Sequence, residues 1–427
     1  MVSISRIAGR LGAKAPSDVV VLSAVRSPIT RAFKGGFREA WPEDILGPVS
    51  TPSEKLRHRV TLTRGLDQVM SSAVQKAGIE PRHVQDTLIG NVLAELGFAK
   101  TGRMALNHAG FPSSTTFHTV NRQCSSSLQA LTYISYAILA GQIDVGLAGG
   151  VESMSRNYGT RGIPADVSPA LRASDIKSAR DCLMLMGITS ENVASRYNIS
   201  RQDQDAYAFM SHSRASAAQA AGHFKSEITP ISFQVINPET KAVSEREVTA
   251  DDTIRPVVTL EKLANLKPAF IEGGGSTAGN SSQISDGASS AILARRSWAD
   301  AYGIKPIGRY VATSVGGCEP DEMGIGPALA IPELLNKAGI SIQDVDIYEL
   351  NEAFASQTLY CIRELGLDID KVNPNGGAIA LGHPTGATGT RQVATLFNEL
   401  QRQDKELGVV SMCASTGHGV ASLFVRE

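Results

Sequence analysis

A single cysteine among small polar residues is the first position in this sequence that could do chemistry. Cys124 lies in Asn-Arg-Gln-Cys-Ser-Ser at 121–126. A β-branched and aromatic run at 115–120 precedes it, and apolar residues follow at helical spacing from 128 to 138. A thiol at a helix N-terminus faces unpaired N–H groups and the positive end of the helix dipole, which lower its pKa. The sequence therefore predicts a cysteine nucleophile, against the alternative that Cys124 is a small buried core residue.

Three other segments carry side chains that could act with this thiol. His383 lies in a glycine-rich stretch, 373–384, where it could accept the thiol proton or donate to a developing oxyanion. Cys413 is a second thiol at a predicted strand end, and Asn351 begins Asn-Glu-Ala-Phe-Ala after another predicted strand. Each has a plain alternative, which is a loop histidine, a core cysteine or a helix N-cap.

The elements that must position these residues alternate between strands and helices. The pattern predicts a helix at 60–77 and buried strands at 18–25, 86–92, 143–150 and 286–295. This alternation favours an α/β protein with a mostly parallel sheet covered on both faces. A looser region at 158–285 interrupts it, with helices near 191–195 and 202–221 and an irregular stretch near 237–259.

The last third of the chain resembles the first. The segments at 345–351, 407–413 and 419–426 correspond to those at 85–91, 144–154 and 287–294, and a helix from 383 to about 400 corresponds to the helix after Cys124. We therefore predict two copies of one α/β unit, with an insertion in the first. A duplicated unit brings equivalent loop ends together at its pseudo-twofold axis, and a site is expected there.

Composition excludes several classes of partner. The 427 residues carry 41 basic and 42 acidic side chains, so no field would gather nucleic acid or an anionic membrane. No apolar run approaches the roughly twenty residues of a membrane helix, and the N-terminus lacks the apolar core of a secretory signal. Five widely spaced cysteines favour free thiols in a reducing compartment. We expect an intracellular protein that acts on small molecules, with no nucleic acid and no membrane span.

In order and context these motifs resemble the thiolase family over about 18–427. The resemblance is carried by Asn-Arg-Gln-Cys-Ser-Ser, Asn-Glu-Ala-Phe-Ala, Gly-Gly-Ala-Ile-Ala-Leu-Gly-His-Pro and Ser-Met-Cys. Cys413 favours thiolases over the related ketosynthases, which pair their cysteine with two histidines or a histidine and an asparagine. The stretches at 182–192 and 323–328 look most like the peroxisomal 3-ketoacyl-CoA thiolases of fungi and plants.

The resemblance implies the thiolase fold, in which two duplicated βαβαβαββ units form a five-layered α-β-α-β-α core with an inserted loop domain. We assign a leader to 1–17, the N-terminal half to 18–157 and 286–300, the loop domain to 158–285 and the C-terminal half to 306–427. The loop domain is expected to bind CoA and substrate.

The resemblance also implies the reaction, the CoA-dependent cleavage of a 3-ketoacyl-CoA through an acyl-enzyme. Cys124 would be the nucleophile, His383 its base, and Cys413 first an acid and then a base. The first oxyanion would be held by His383 and a water on Asn351, and the second by the N–H groups of Cys124 and Ser415. CoA is a substrate in this scheme, and no metal or redox cofactor is implied.

Residues implied to bind the substrate lie mostly in and around the loop domain. Arg255 should approach the nucleotide of CoA and Ser282 the pantetheine arm, while Met186, Met323 and Phe354 should line the substrate path. A solvated charge is the alternative for Arg255, and plain core packing is the alternative for the methionines.

The chain departs from the family pattern near the proposed site. Ser127 and Ser415 stand where the family has glycine, and Thr385 stands where it has leucine. Leu185 replaces a proline, and His418 replaces a methionine. These changes suggest a shifted acyl preference. A biosynthetic thiolase or a specialised Claisen-condensing enzyme stays open as an alternative, as does an inactive CoA-binding subunit.

The resemblance implies a homodimer or a dimer of dimers that pairs through 115–120. It also implies a peroxisomal location and a role in fatty acid β-oxidation. The segment at 3–11 has the apolar spacing of a type-two peroxisomal signal but lacks its polar anchors, so the cytoplasm is the alternative location.

Overall fold

The computed structural model describes Leu11 and residues 14–47, 68–237 and 239–427, except the side chains of 159–161. Most of the predicted leader, 1–17, and the first part of the predicted helix at 60–77 therefore lie outside the described residues. Within them, the strands are β1 (Val19–Arg26), β2 (Thr30–Arg31), β3 (Asp86–Gly90), β4 (Thr116–Val120), β5 (Val145–Ser153), β6 (Ile231–Ile236), β7 (Val243–Val248), β8 (Ser285–Arg295), β9 (Gly308–Gly317), β10 (Ile347–Leu350), β11 (Leu407–Ala414) and β12 (His418–Arg426).

Helices connect and cover these strands. The α-helices are α1 (Pro42–Leu46), α2 (Val69–Lys76), α3 (Ala99–His108), α4 (Ser126–Leu139), α5 (Met154–Arg161), α6 (Pro169–Arg172), α7 (Lys177–Asp181), α8 (Met186–Arg196), α9 (Arg201–Ala221), α10 (Leu260–Ala264), α11 (Arg296–Ala301), α12 (Gly326–Ala338), α13 (Ala355–Leu365), α14 (Ala378–Leu381) and α15 (Thr388–Arg402). Short 3-10 helices occur at Pro81–His83, Glu95–Phe98, His223–Ser226, Pro320–Ile325, Ile342–Asp344 and Ile369–Lys371. The described helices include none with the length and apolar character needed to cross a bilayer.

The main sheet runs in the order β10-β11-β12-β9-β1-β8-β5-β3-β4, with β2 attached to β8. Its parallel pairs are β3–β4, β3–β5 and β10–β11, whereas β1, β8, β9 and β12 pair antiparallel with their neighbours. The prediction of a mostly parallel sheet is therefore wrong. The reason is that the last strand of each half runs antiparallel to the strand beside it. In the second half, β11 and β12 form such an antiparallel hairpin.

The duplication predicted from the sequence is visible in the strand order. β4-β3-β5-β8-β1 forms one half, and β10-β11-β12-β9 repeats the order of β3-β5-β8-β1 in the other. An isolated parallel bridge between Tyr348 and Val372 stands where the second copy would carry a counterpart of β4. The halves join where β1 pairs with β9 at Val19–Tyr310, Val20–Arg309 and Val21–Gly308.

Three apolar cores separate the layers. The central core packs α4 against α15 between the two halves of the sheet, with Leu128 and Leu131 on one helix and Leu396 and Leu400 on the other. A second core lies under α1, α2 and α3 on the outer face of the first half, and a third lies under α12 and α13 on the outer face of the second. Helices thus cover both faces, and α4 and α15 form the middle layer.

The region predicted as looser contains more regular structure than its composition indicates. The helices expected near 191–195 and 202–221 are α8 and α9, as predicted. The stretch expected to be irregular, 237–259, contains β7, which pairs with β6 in a separate two-stranded sheet. The prediction missed this strand because its polar, exposed residues carry almost no apolar alternation.

The two halves are in close contact beside β5. A Cβ atom on Gly150 would lie 1.9 Å from the carbonyl oxygen of Gly386 and 2.7 Å from Cβ of Ser127. Glycine is therefore required here for space, and this close contact places the loop before α15 against the first turn of α4.

We predict that Gly150→Ala destabilises the fold, because the added methyl must push backbone rather than a flexible side chain. Overpacking of this kind costs about 1–3 kcal/mol, measured as the free energy of unfolding in denaturant. The matched control is Gly317→Ala, because a Cβ atom there would meet nothing within 4 Å. An equal loss of stability in both variants would contradict the assignment of close packing at Gly150.

Candidate active site

The turn that presents Cys124 is built by small polar side chains. Gln123 has a φ of +49°, in the left-handed region, and its N–H donates to the side-chain oxygen of Asn121 at 2.9 Å. The Ser126 hydroxyl accepts from the N–H of Arg122 at 3.0 Å. These bonds turn the chain sharply between strand and helix, so that Cys124 lies two residues before α4 begins.

The environment of Cys124 raises its pKa instead of lowering it. Burial of the sulfur is the largest cause and brings the pKa to about 11, while the N–H groups of Ser415 and of Cys124 itself favour the thiolate, and the carboxylate of Glu152 opposes it. The prediction of a lowered pKa is therefore wrong, because desolvation outweighs the helix N-terminus. At neutral pH Cys124 is a thiol that needs a base.

His383 is held in one orientation by backbone and by Thr388. The backbone N–H of His383 donates to the carbonyl of Gln283 at 3.0 Å. In the ring, Nδ1 lies 2.7 Å from the hydroxyl of Thr388. That hydroxyl donates its proton to the carbonyl of Pro384 at 2.9 Å, so it accepts from Nδ1–H of the ring. This assignment leaves the lone pair of the histidine on Nε2.

Nε2 of His383 faces the amide of Asn351, with its Nδ2 atom 3.4 Å away. Burial, and after it the nearby charge of Arg391, lower the pKa of His383 to about 3. The ring is therefore neutral at physiological pH, and its Nε2 atom can accept a proton.

Asn351 is fixed between two strands and is not a helix cap. Its backbone N–H donates to the carbonyl of Ser411 at 2.9 Å, which anchors it directly after β10 and against β11. The N-cap of α13 is Phe354, so the alternative that Asn351 caps this helix is wrong. Its buried Oδ1 atom has no hydrogen-bond partner among the described residues, which leaves an acceptor for a ligand or a water molecule.

Cys413 lies fully buried near the end of β11. Its sulfur is 3.0 Å from Oε1 of Gln357, to which the S–H donates. Burial raises the pKa of Cys413 well above its usual range, and the proximity of Cys124 raises it further. Cys413 therefore holds its proton at neutral pH and is placed to act as an acid close to the first thiol.

An apolar wall lies beside Cys413. The buried side chains of Met323, Phe354 and Cys413 pack together, and the partly buried Met186 packs against them. The ring of Phe270 meets that of Phe354 edge to face, with centroids 5.9 Å apart. The structure thus brings together the three residues predicted to line the substrate path.

Ser282 lies between this wall and the histidine loop. Its N–H donates to the carbonyl of Ala353 at 2.9 Å, and the next residue, Gln283, accepts from the N–H of His383 at 3.0 Å. Ser282 is only partly buried. A ligand that passes over Ser282 would therefore reach His383 along a continuous stretch of backbone.

Arg255 is exposed. The residue two positions before it, Thr253, donates its hydroxyl to the carbonyl of Leu381 at 2.8 Å, which ties this segment to α14. Arg255 also lies close enough to His212 on α9 to lower the pKa of that ring, after burial. Its position at the surface beside the histidine loop fits an outer contact with a long ligand.

Glu352, the residue after Asn351, is a buried positioning residue. Its carboxylate accepts hydrogen bonds from Tyr207 at 2.9 Å and Ser211 at 2.6 Å, both on α9. It also accepts from the side chain of Asn373 at 2.9 Å and from the N–H of Ile379 at 3.1 Å. Glu352 therefore joins the inserted region to the loop that leads to His383.

Two of the departures from the family pattern lie where the halves meet. The hydroxyl of Ser127 accepts from the N–H of Thr390 at 3.0 Å. The hydroxyl of Thr385 donates to the carboxylate of Glu152 at 2.8 Å. Both side chains therefore make hydrogen bonds between the Cys124 half and the His383 half.

Two further departures lie in the hairpin between β11 and β12. Ser415 contributes the N–H that faces the Cys124 sulfur, and Thr416 after it has a φ of +70°. Nδ1 of His418 lies 3.3 Å from the Thr416 hydroxyl and 3.4 Å from the Ser415 carbonyl. His418 therefore contacts the short turn whose backbone serves the thiol. The fifth departure, Leu185, is the exposed N-cap residue of α8.

These groups can support the addition of a thiol to a carbonyl. The site offers a nucleophile, a neutral base, a protonated thiol as acid, and N–H groups that can stabilise an oxyanion. The described residues include no group of three or more histidine, cysteine, aspartate or glutamate side chains that could hold a metal ion.

The sequence matches one family along almost its whole length. Residues 19–297 match the family model for the thiolase N-terminal domain, and residues 304–426 match that for the thiolase C-terminal domain. Peroxisomal 3-ketoacyl-CoA thiolase A of Rattus norvegicus is 47% identical over 411 residues, which are 96% of this chain and 88% of the relative. The predicted resemblance to the family and to its peroxisomal members is confirmed.

Solved structures give the same result for the fold. The dimeric peroxisomal thiolase of Saccharomyces cerevisiae matches with a TM-score of 0.83 and 42% identity, over 98% of this chain and 100% of that chain. Another structure of peroxisomal 3-ketoacyl-CoA thiolase from that yeast matches with a TM-score of 0.74 and 38% identity, over 97% and 99%. It is described as five-layered and built from two core domains of identical topology, which confirms the predicted fold.

The raised pKa of Cys124 gives a prediction for its reactivity in the free protein. The rate of alkylation by iodoacetamide at Cys124, followed by peptide mass spectrometry, should rise about tenfold per pH unit from pH 7 to 10, because only the thiolate reacts and its pKa is about 11. The exposed Cys182 provides a reference in the same digest. A plateau in the Cys124 rate near pH 7 would instead indicate a preformed thiolate–imidazolium pair.

Proposed function

Because this chain belongs to the thiolase family, we propose that Cys124, His383 and Cys413 carry out the chemistry of a 3-ketoacyl-CoA thiolase. The protein is an acyltransferase that uses CoA as a substrate and cleaves 3-ketoacyl-CoA to acetyl-CoA and a shorter acyl-CoA. The observation that supports these roles best is the convergence of both thiols and the Ser415 N–H at one point.

The first half-reaction begins with a proton transfer. Cys124 gives its proton to Nε2 of His383, and the thiolate attacks the keto carbon of the substrate. The oxyanion accepts hydrogen bonds from protonated His383 and from a water molecule held by the free Oδ1 of Asn351. The bond between the alpha and keto carbons then breaks, and the enolate of acetyl-CoA takes the proton of Cys413.

The second half-reaction restores both thiols. Free CoA gives its S–H proton to the Cys413 thiolate and attacks the thioester on Cys124. The N–H groups of Cys124 and Ser415, which already face the sulfur, stabilise this second oxyanion, and each such donor contributes about 3 kcal/mol. The leaving Cys124 thiolate recovers its proton from His383, so no net proton is gained or lost.

Five residues have positions that fit a role in binding the substrate. Met186, Met323 and Phe354 line the side of the site next to Cys413, where the apolar part of the substrate would pack. Ser282 lies where the pantetheine arm would pass, and the exposed Arg255 would meet the charged nucleotide end. The inserted region, 158–285, would supply most of this surface as the loop domain.

One alternative function would use the same residues, and a second is disfavoured by them. The same residues catalyse carbon–carbon bond formation in reverse, so a biosynthetic thiolase or a Claisen-condensing enzyme with an altered acyl preference shares this site. Turnover measured in both directions over a series of acyl lengths separates these roles. An inactive CoA-binding subunit is disfavoured, because the catalytic residues are intact and oriented.

The cellular location of this protein is proposed from its relatives alone. The rat and yeast relatives are peroxisomal, and a role in fatty acid β-oxidation accords with that compartment. We propose a peroxisomal location, with the cytoplasm as the alternative. Fluorescence microscopy of a C-terminal fusion, beside a peroxisomal marker, decides between them.

We predict that the native enzyme, given a 3-ketoacyl-CoA without CoA, accumulates an acyl group on Cys124 that intact-mass spectrometry detects. Cys124→Ser should remove the adduct, and Cys413→Ser should lower kcat by at least about 100-fold, because general acid and base catalysis is lost. Cys182→Ser is the matched control, with normal turnover. An adduct that persists in Cys124→Ser would refute the proposed nucleophile.

We also propose a homodimer, or a dimer of dimers, that forms through β4. This strand ends the main sheet, and a groove of about 390 Å³ beside it is lined by residues that include Asp86, His118, Tyr133 and Tyr136. Both tyrosines are more than 40% exposed, so the groove offers two aromatic rings to a second copy of the chain. Pairing of β4 with the same strand of a second chain would supply hydrogen-bond partners for the backbone groups on the outer edge of β4.

Sedimentation velocity should therefore show a dimer or tetramer for the native chain. Tyr133→Glu should raise the dissociation constant by about 30-fold or more, the effect of losing about 2 kcal/mol at an interface. Leu171→Glu, at an exposed apolar residue on α6, is the control and should leave the assembly unchanged. A monomeric native protein would exclude this interface.

A further inference from the structure

A buried carboxylate lies between the two loops that carry the catalytic residues. Glu152 is the penultimate residue of β5, is fully buried, and pairs across the sheet with Gly287 of β8. No role in the proposed mechanism is assigned to it. Its charge is nevertheless close enough to Cys124 to raise the pKa of that thiol.

Hydrogen bonds to Glu152 come from two segments that are distant in the sequence. After β3, the N–H groups of Val92 and Leu93 donate at 3.1 and 3.2 Å, and the side-chain amide of Asn91 lies 3.4 Å away. From the loop before α15, the Thr385 hydroxyl donates at 2.8 Å and the N–H of Gly386 at 3.0 Å. One carboxylate thereby fastens both halves of the molecule.

The second of these segments is the histidine loop. Only Pro384 separates Thr385 from His383, and Gly386 is the residue whose carbonyl lies against Gly150. A shift of the loop at Thr385 would therefore move His383 relative to the turn that carries Cys124. Catalysis is sensitive to displacements of about 1 Å between reacting groups.

We propose that Glu152 and Thr385 form a clamp that positions His383 against Cys124, and that the ionised carboxylate is the form that closes it. Glu152 and Thr385 act as positioning residues, and the proposal rests on the roles proposed above for Cys124 and His383. A protonated carboxyl group has fewer lone pairs for its five donors, so protonation would loosen the clamp.

The surroundings of Glu152 place its titration in a useful range. Burial raises its pKa to about 7, and the donors oppose that rise, with the Thr385 hydroxyl first among them and the N–H groups after it. Cys124 is the titratable group that faces it, and His383 in the neighbouring loop directs its ring to Thr388 and Asn351. The segment after β3 and the residue opposite on β8 present backbone and amide groups at Glu152.

The test is the pH profile of kcat/KM for 3-ketoacyl-CoA cleavage. In the native enzyme kcat/KM should fall as the pH decreases through about 7. Thr385→Val removes a donor to the charged form, so this acid limb should move to higher pH by about one unit. Thr385→Ser, which restores a hydroxyl, should return the limb to its native position.

The matched control is Thr87→Val. Thr87 is buried on β3, and its hydroxyl has no hydrogen-bond partner among the described residues, so the limb should not move. A second variant, Glu152→Gln, should lose the limb and shift site-specific alkylation of Cys124 to lower pH, because the nearby negative charge is gone.

The clamp would be overturned if Thr385→Val left the acid limb unchanged, or if Thr385→Val lowered activity by the same factor at every pH. Either outcome can be told apart from a failure of the proposed mechanism. The acyl-enzyme measurement on the native enzyme and Cys124→Ser tests that mechanism independently.

Discussion

The close approach of two helix N-termini at the pseudo-twofold axis is the constraint on which this structure depends. The backbone and hydroxyl of Thr390 at the start of α15 both bond to Ser127 on α4, at 3.0 and 3.2 Å. A Cβ atom on Gly389 would lie 2.5 Å from the N–H nitrogen of Leu128, so even one methyl group would separate the helices. Because the residues just before each helix carry Cys124 and His383, the distance between the halves also sets the geometry of the site.

Burial at this axis determines the charge state of the catalytic groups. It raises the pKa of Cys124 and Cys413 and lowers that of His383, so all three are uncharged in the resting protein. A neutral site avoids the free-energy cost of buried ions before substrate arrives. The same exclusion of water strengthens the hydrogen bonds that N–H groups offer to an oxyanion. A thiol in this environment becomes a thiolate only when a base takes its proton, and not in advance.

The sequence predicted the duplication and the fold family, and it singled out the residues that the fold brings together at the candidate site, because each is carried by residue types at defined positions in the chain. It did not predict strand direction, since apolar periodicity is the same in parallel and antiparallel sheets. It also gave the wrong sign for the pKa shift of Cys124. A helix N-terminus is visible in local sequence, whereas burial is imposed by residues that the fold brings in from far away in the chain. Glu152, Gln357 and Thr388 were missed for the same reason, because their partners are set by the fold. A buried acid at the end of an apolar strand was the one available signal for Glu152.

The departures from the family pattern have different physical consequences because they lie in different places. Ser127 and Thr385 make hydrogen bonds between the halves, so they affect how the catalytic loops are held and do not line the wall of Met323 and Phe354. Ser415 and His418 instead belong to the turn whose N–H faces the Cys124 sulfur, so their side chains lie beside the thiol and not between the halves. The polar residues between the halves instead affect proton transfer, since they act on the relative position of the base and the thiol.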